Sequence, residues 1–117
     1  MVREVIFYKT SSNRSPIDEF LDTLSSKQAQ KVAWVLNLIE ELDIVPRQYF
    51  QKMVSTDDIW EARVKIGSNI FRLLGFFDGS KLVVLSHVFQ KKTQKTPKHE
   101  IRVAEERKRD YFRRKKK

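Results

Sequence analysis

The sequence contains no cysteine, and its 117 residues include only three glycines, three prolines and two histidines. The absence of cysteine excludes disulfide bonds and thiolate metal ligands. The two histidines, His87 and His99, are not accompanied by a carboxylate cluster that would complete a metal site. We therefore expect no metal and no other cofactor.

Long hydrophobic runs are also absent. No stretch approaches the roughly 20 uncharged apolar residues of a membrane-spanning helix, and Met1–Lys9 lacks the apolar run of a signal peptide. We therefore expect a cytoplasmic protein with no membrane contact. A length of 117 residues with 40% hydrophobic content is enough for one buried core and too short for two, so residues 1–117 are expected to form a single domain.

The net charge of +9 belongs to the last quarter of the chain. Residues 1–87 contain 11 Lys or Arg and 11 Asp or Glu, whereas residues 88–117 contain 13 and 4. Such a segment favours a polyanionic partner, because Lys and Arg that neutralise phosphates release condensed counterions. For residues 113–117 alone, a frayed basic tail that only aids solubility is an equal alternative.

The first half of the chain predicts one strand and two helices. β-Branched and aromatic residues indicate a strand over Val2–Tyr8. Ser15, followed by proline, is a typical N-cap of a short helix. Ser25 starts a capping box before a longer helix that ends ahead of Pro46. The two helices would form an αα-hairpin, and residues 53–54 would form a short strand after it.

The second half predicts an antiparallel meander and a final helix. The strands Ile59–Ile66, Ile70–Phe77 and Leu82–Phe89 are separated by hairpin-type turns. Thr96, as an N-cap before a proline, predicts a C-terminal helix that frays after Phe112. The economical architecture is an α+β domain with its helices packed on one face of a mostly antiparallel sheet.

Two arginines are expected to face each other in the meander. A two-residue turn at positions 67–68 places Arg63 directly opposite Arg72, on the face of the sheet away from the core. Like charges in this position destabilise a strand pair unless an acid, solvent or an anion compensates them. Glu61 could neutralise them in a surface ion cluster. We favour a phosphate site, because arginine presents planar donors that match phosphate oxygens.

Three segments carry a family resemblance. They read IWEARVK at residues 59–65, IFRLL at 70–74 and VFQKKTQKTP at 88–97. Together they resemble the phage-derived HigB-like branch of the RelE/ParE toxin superfamily, and the similarity covers nearly the whole chain. The resemblance implies a RelE-like α+β toxin of a type II toxin-antitoxin system, neutralised by an antitoxin that is expected to be a small helix-turn-helix protein.

The same resemblance implies an activity. Such a toxin enters the ribosomal A site and cleaves mRNA without a metal, by attack of a ribose 2'-hydroxyl on the adjacent phosphate. By position, Arg72 matches the arginine at the scissile phosphate, Arg63 matches a basic residue on the preceding strand, and Lys92 lies near the basic residue after the last strand. Lys91 or Lys95 could replace Lys92. The predicted RNA-binding residues are Lys65, Lys91, Lys95 and Lys98.

The chain departs from the family pattern at two places, which leaves the proton-transfer groups open. Glu61 stands where relatives often have a lysine. Early in the last helix, where some relatives have a tyrosine, this chain has residues 97–100 and no tyrosine. Glu61 could act as the base or could orient Arg63, and we favour the second because a carboxylate between two arginines is a weak base. His99 could act as the acid, since histidine titrates near neutrality, or could be an ordinary surface residue.

The side on which His87 lies depends on the turn before it. A two-residue turn would place His87 on the Arg72 face opposite Ile70, whereas a three-residue turn would send it to the core side. A hydrogen-bonded structural histidine is the favoured interpretation.

Two other functions are compatible with this sequence. A ParE-like protein would inhibit gyrase through a protein contact and needs no phosphate site, and a non-enzymatic RNA-binding module would use the same basic residues. Fold alone cannot separate them from a ribonuclease.

Overall fold

In a computed structural model, which describes residues 1–91 and 96–116, the chain forms one five-stranded sheet with three helices. The described elements are β1 (Glu4–Phe7), α1 (Pro16–Asp22), α2 (Ser26–Glu41), β2 (Phe50–Lys52), β3 (Trp60–Ile66), β4 (Asn69–Asp78), β5 (Leu82–Lys91) and α3 (Lys98–Lys115). The strand order is β1-β5-β4-β3-β2, with β1 parallel to β5 and the other pairs antiparallel. The predicted α+β fold, with its N-terminal strand, helical hairpin, meander and C-terminal helix, is confirmed.

The predicted starts of the first two helices are also confirmed. The Ser15 side chain accepts a hydrogen bond from the backbone N–H of Asp18 at 3.2 Å. At α2, Ser25 and Gln28 form both hydrogen bonds of the capping box. These contacts satisfy backbone donors that a helix N-terminus leaves free.

Two boundaries differ from the sequence prediction. The short strand β2 covers Phe50–Lys52, ahead of the expected residues 53–54, because it pairs with the first three residues of β3. The residue that caps α3 is Pro97, with no side-chain hydrogen bond, so Thr96 is not the N-cap. Among the described residues, no helix is long and apolar enough to cross a membrane.

The helices lie on both faces of the sheet, so the prediction that they share one face was wrong. Helices α1 and α2 cover one face, where Ile17, Val35 and Leu73 belong to the largest core cluster. Helix α3 covers the other face through Ala104, which packs with Ile59 and Leu74, and through partly buried aromatic residues near its end. The face that carries Arg72 is therefore partly covered by a helix.

The basic tail is part of α3, which continues through Lys115, so the prediction of a frayed tail was wrong for residues 113–115. The Lys115 ammonium lies 2.7 Å from a carboxylate oxygen of Asp78, and Tyr111 donates a hydrogen bond to the same carboxylate at 2.8 Å. Arg113 and Arg114 both pair with Asp110. The contacts to Asp78 attach the end of α3 to the end of β4, whereas the pairs with Asp110 lie within the helix.

A β-bulge decides the side of the sheet on which His87 lies. Asp78 pairs with Leu82, so the turn has three residues, but the register shifts after Gly75 and places His87 opposite Leu74 on the α3 face. The extra residue of a bulge reverses the alternation of side chains. His87 therefore lies on the Arg72 face, as one of the two alternatives predicted, but it lies opposite Leu74 and not opposite Ile70, and the three-residue turn does not send it to the core side. A Cβ at Gly75 would overlap the backbone of β5, which explains the glycine.

Candidate functional site

Arg63 and Arg72 are directly opposite each other on β3 and β4, as the sequence predicted. The backbone N–H of Arg63 donates to the Tyr49 carbonyl at 2.8 Å and therefore points away from β4. The arginines thus form a non-hydrogen-bonded pair, the type in which opposed side chains lie closest. Two like charges at this spacing require compensation.

Glu61 supplies that compensation, in a way that differs from both sequence-based interpretations. Its Oε1 accepts a hydrogen bond from Nη1 of Arg72, and the two side chains are only 2% and 7% exposed. The pair is buried and is not a surface ion cluster. Glu61 therefore orients Arg72, whereas we had expected it to orient Arg63.

One hydrogen-bond donor of Arg72 is not used within the described part of the chain. Its Nε is buried and has no hydrogen-bond partner among residues 1–91 and 96–116. Buried polar groups are normally satisfied, because an unmade hydrogen bond retains the cost of removing the group from water. An oxygen ligand that reaches Nε would be bound strongly at this position.

An open groove with a volume of about 760 Å³ leads to the Arg72–Glu61 pair. Its lining residues are Arg47, Gln51, Lys52, Met53, Val54, Ser55, Glu61, Arg72, Thr96, Lys98, Ile101, Arg102 and Glu105. Five of these carry positive charge and two carry negative charge. The first turns of α3 form one wall and the segment around β2 forms the other, so the groove presents a net positive surface above a buried guanidinium.

The sequence analysis missed part of this wall. Arg102 lies one turn after the predicted RNA-binding residue Lys98 on the predicted helix, and that spacing could have identified it. Arg47 and Lys52 come from a segment without a strong sequence pattern, and only the fold brings them to Arg72.

Arg63 lines a different groove. It borders a space of about 570 Å³ together with Lys31, Tyr49 and Lys65, while Arg72 lines the larger groove. The two opposed arginines therefore do not line one shared groove. Lys65 is exposed beside Arg63.

Lys91 is electrostatically linked to both arginines. It pairs with Ile70 at the end of β5, two residues along the strands from the pair that Arg72 forms with Phe89, and lies on the same face as Arg72. Burial lowers the pKa of Lys91, and the nearby charges of Arg72 and Arg63 lower it further, although Glu61 acts in the opposite direction. A lysine with a lowered pKa releases its proton more readily than an ordinary surface lysine.

The two histidines are in different environments. His99 is exposed at the start of α3, lies 3.5 Å from Glu100 and is not among the residues that line the groove. His87 is largely buried, with Nε2 at 2.7 Å from Glu100 and Nδ1 at 3.3 Å from Arg107. Burial lowers its pKa. The structure therefore shows the hydrogen-bonded histidine that we favoured for position 87.

Two predicted residues, Lys92 and Lys95, lie outside the described residues. Within the described part of the chain, no three residues of the types His, Cys, Asp and Glu come together as a metal-binding group.

Comparison with known proteins gives one result for this chain. The family model described as "Phage derived protein Gp49-like (DUF891)" matches residues 19–109. The match begins within α1, includes all five residues of the site that carry the argument (Glu61, Arg63, Arg72, Lys91 and Lys98), and ends within α3. No curated protein matches the chain.

Proposed function

Because the chain belongs to the Gp49-like family of phage-derived proteins, a RelE-like toxin family, we propose that it is the toxin of a type II toxin-antitoxin pair. We propose further that it is a HigB-like ribonuclease that cleaves mRNA on the ribosome without a metal. Its partners are then a cognate antitoxin, the ribosome and mRNA. The family supports the first proposal, and the geometry at Arg72 supports the second.

One observation carries the ribonuclease proposal: a buried arginine, whose Nε has no partner within the described part of the chain, lies at a positively charged groove. In the proposed reaction, the 2'-hydroxyl oxygen attacks the adjacent phosphorus, and the bond from phosphorus to the 5'-oxygen breaks. Negative charge grows on the non-bridging oxygens during this step. A fixed guanidinium that is shielded from water stabilises such charge more than a mobile surface cation does.

Glu61 acts as a positioning residue in this proposal. Its carboxylate holds one end of the Arg72 guanidinium, and Nε of the same group has no hydrogen-bond partner among the described residues. Because it is already bound to a cation, Glu61 is a poor candidate for the base.

Lys91 is the described residue best suited to protonate the leaving 5'-oxygen. Its pKa is lowered, which favours release of its proton, and it lies on the same face of the sheet as Arg72, where it would protonate the leaving oxygen of a phosphate held by that arginine. Lys98 would hold flanking phosphates at the groove wall, and Lys65 would do so beside Arg63. Lys92 and Lys95 keep their proposed roles from the family resemblance, whereas the exposed His99 has the weaker claim to be the acid.

The test is mRNA cleavage by variants of Arg72. We expect Arg72→Ala to abolish growth inhibition and translation-dependent cleavage in primer extension. Because this change leaves Glu61 buried without its partner, the double variant Arg72→Met with Glu61→Gln provides a second, uncharged replacement whose fold is checked by circular dichroism. Lys81→Ala, at an exposed lysine far along β5 from the groove, is the control and should cleave normally.

The alternatives predict different results. Full cleavage by a folded Arg72 variant would contradict the site assignment. Accumulated gyrase–DNA complexes with intact mRNA would indicate the ParE-like activity, and salt-dependent RNA binding without cleavage on translating ribosomes would indicate a binding module.

A further inference from the structure

The positive side chains of α3 fall into two sets that differ in their contacts. The first set faces the body of the protein and is bound there. Arg107 donates to the Ser86 carbonyl at 2.6 Å, Lys108 donates to the Asp57 carbonyl at 2.6 Å, Arg114 donates to the Lys9 carbonyl, and Lys115 pairs with Asp78. These residues hold the helix against the body of the protein. Their side chains are engaged in contacts within the protein and are not directed at a partner.

The second set forms a stripe along the outer side of α3. It consists of Lys98, Arg102, Arg109, Arg113 and Lys116, all of which are exposed. With 3.6 residues per turn and a rise of 1.5 Å per residue, these five positions lie within a sector about 60° wide and extend over about 27 Å. We call this set the outer stripe.

The outer stripe is only slightly neutralised by the protein itself. Arg113 pairs with Asp110, while the other four residues have no ion-pair partner among the described residues. Glu106 is the one exposed acid of α3. A nearly continuous row of like charges on a rigid helix indicates a partner with regularly spaced negative charges.

The composition of the stripe distinguishes between possible partners. A helix that binds a membrane surface places large apolar side chains beside its cations, whereas the large exposed hydrophobic residues of the described chain all lie outside α3. A nucleic-acid backbone matches a purely charged row, because phosphate contacts need cations and no apolar surface.

We propose that the outer stripe of α3 binds the sugar-phosphate backbone of structured RNA, along a surface that begins at the wall of the Arg72 groove and extends beyond it. Lys98 and Arg102 belong to both surfaces, and Arg109, Arg113 and Lys116 extend away from the groove. Backbone contacts along the stripe would anchor the protein without regard to sequence. This inference rests on the proposed function in taking RNA as the partner.

The test uses an RNA hairpin with 2'-O-methyl groups throughout, which cannot be cleaved by 2'-hydroxyl attack. The double variant Arg109→Glu with Lys116→Glu changes the stripe beyond the groove. The control, Lys27→Glu with Lys81→Glu, changes two exposed lysines elsewhere, and each double variant lowers the formal net charge from +9 by four. Arg109→Gln with Lys116→Gln serves as a milder form if the charge reversal disturbs the helix.

We expect the stripe variant to bind the hairpin on the order of tenfold more weakly, with a salt dependence reduced by roughly one to two phosphate contacts. The control should stay close to the unsubstituted protein. Equal weakening in both variants, or none in the stripe variant, would overturn the proposal. Unchanged hairpin binding with lost capture of an acidic protein partner would also overturn it.

The outcome is independent of the cleavage test. Arg72→Met with Glu61→Gln should retain hairpin binding through the stripe while losing cleavage. If the unsubstituted protein binds the hairpin through the stripe but cleaves no mRNA, the proposed ribonuclease activity fails and the RNA-binding surface remains.

Discussion

The carboxylate of Glu61 binds one end of the Arg72 guanidinium and leaves Nε of the arginine without a partner among the described residues. The two groups are almost completely buried. A buried charge is tolerated only while its countercharge is present. The pair therefore couples the stability of the fold to the geometry of the proposed site.

Removal of the Glu61 carboxylate should destabilise the protein strongly. We expect Glu61→Ala to lower the free energy of unfolding by about 3 kcal/mol or more, because it leaves Arg72 charged and buried. Urea denaturation measures the change. Glu41→Ala, at an exposed acid that pairs with the N-terminal ammonium, is the control and should cost less than about 1 kcal/mol. Similar stabilities for the two variants would show that Arg72 is not confined by Glu61.

The acid role of Lys91 predicts that its pKa depends on Arg72 and that cleavage depends on its ammonium group. Burial and the nearby arginines lower its pKa, so Arg72→Met should raise that pKa by removing one of these charges. Titration of the lysine side chains by NMR, with Lys91→Arg used for assignment, measures both values. Lys91→Arg keeps the charge but transfers protons poorly, so cleavage should fall while RNA binding is retained. Unchanged cleavage by Lys91→Arg would remove Lys91 as the acid.

His87 should make the protein less stable in mild acid. Burial lowers its pKa in the folded state, whereas the unfolded chain has a value of about 6.5. The unfolded state therefore binds more protons as the pH falls below that value, and the free energy of unfolding decreases. His87→Gln should show a flatter dependence between about pH 7.5 and 5.5. His99→Gln, at the exposed histidine, should keep the original dependence.

Gly75 should tolerate no side chain. A methyl group there would overlap the Val84 carbonyl oxygen and the Leu85 backbone, so we expect Gly75→Ala to cost about 3 kcal/mol in thermal unfolding. Gly79 provides a matched control, because its φ is +73° and no atom would crowd an added Cβ. Gly79→Ala should cost only about 1–2 kcal/mol, from the left-handed backbone alone. Equal costs would argue against the close approach of β4 and β5 at Gly75.

The sequence predicted the opposed arginines because a two-residue turn determines the register of both strands that it joins. It predicted the C-terminal helix but not that this helix packs on the face of the sheet that carries the arginines. The signal was present in β4, where Leu74 and Phe76 are apolar on the face assigned to solvent, as expected for a strand buried on both sides. The packing of α3 on this face was not evident from the sequence, because the charged residues Arg107 and Lys108 make some of its inward contacts. The bulge before His87 has no short-range sequence signal.

The parallel pairing of β1 with β5 has a consequence for synthesis of the chain. Glu4 pairs with Leu82, and Phe7 pairs with Leu85. The strand β1 is therefore synthesised long before β5, the strand with which it pairs. Contacts between such distant residues form late, because a long loop must close before they are made. A nascent or prematurely terminated chain that stops before residue 82 lacks the strand against which β1 and α1 pack. The sheet as described therefore cannot form until synthesis has passed the end of β5 at Lys91.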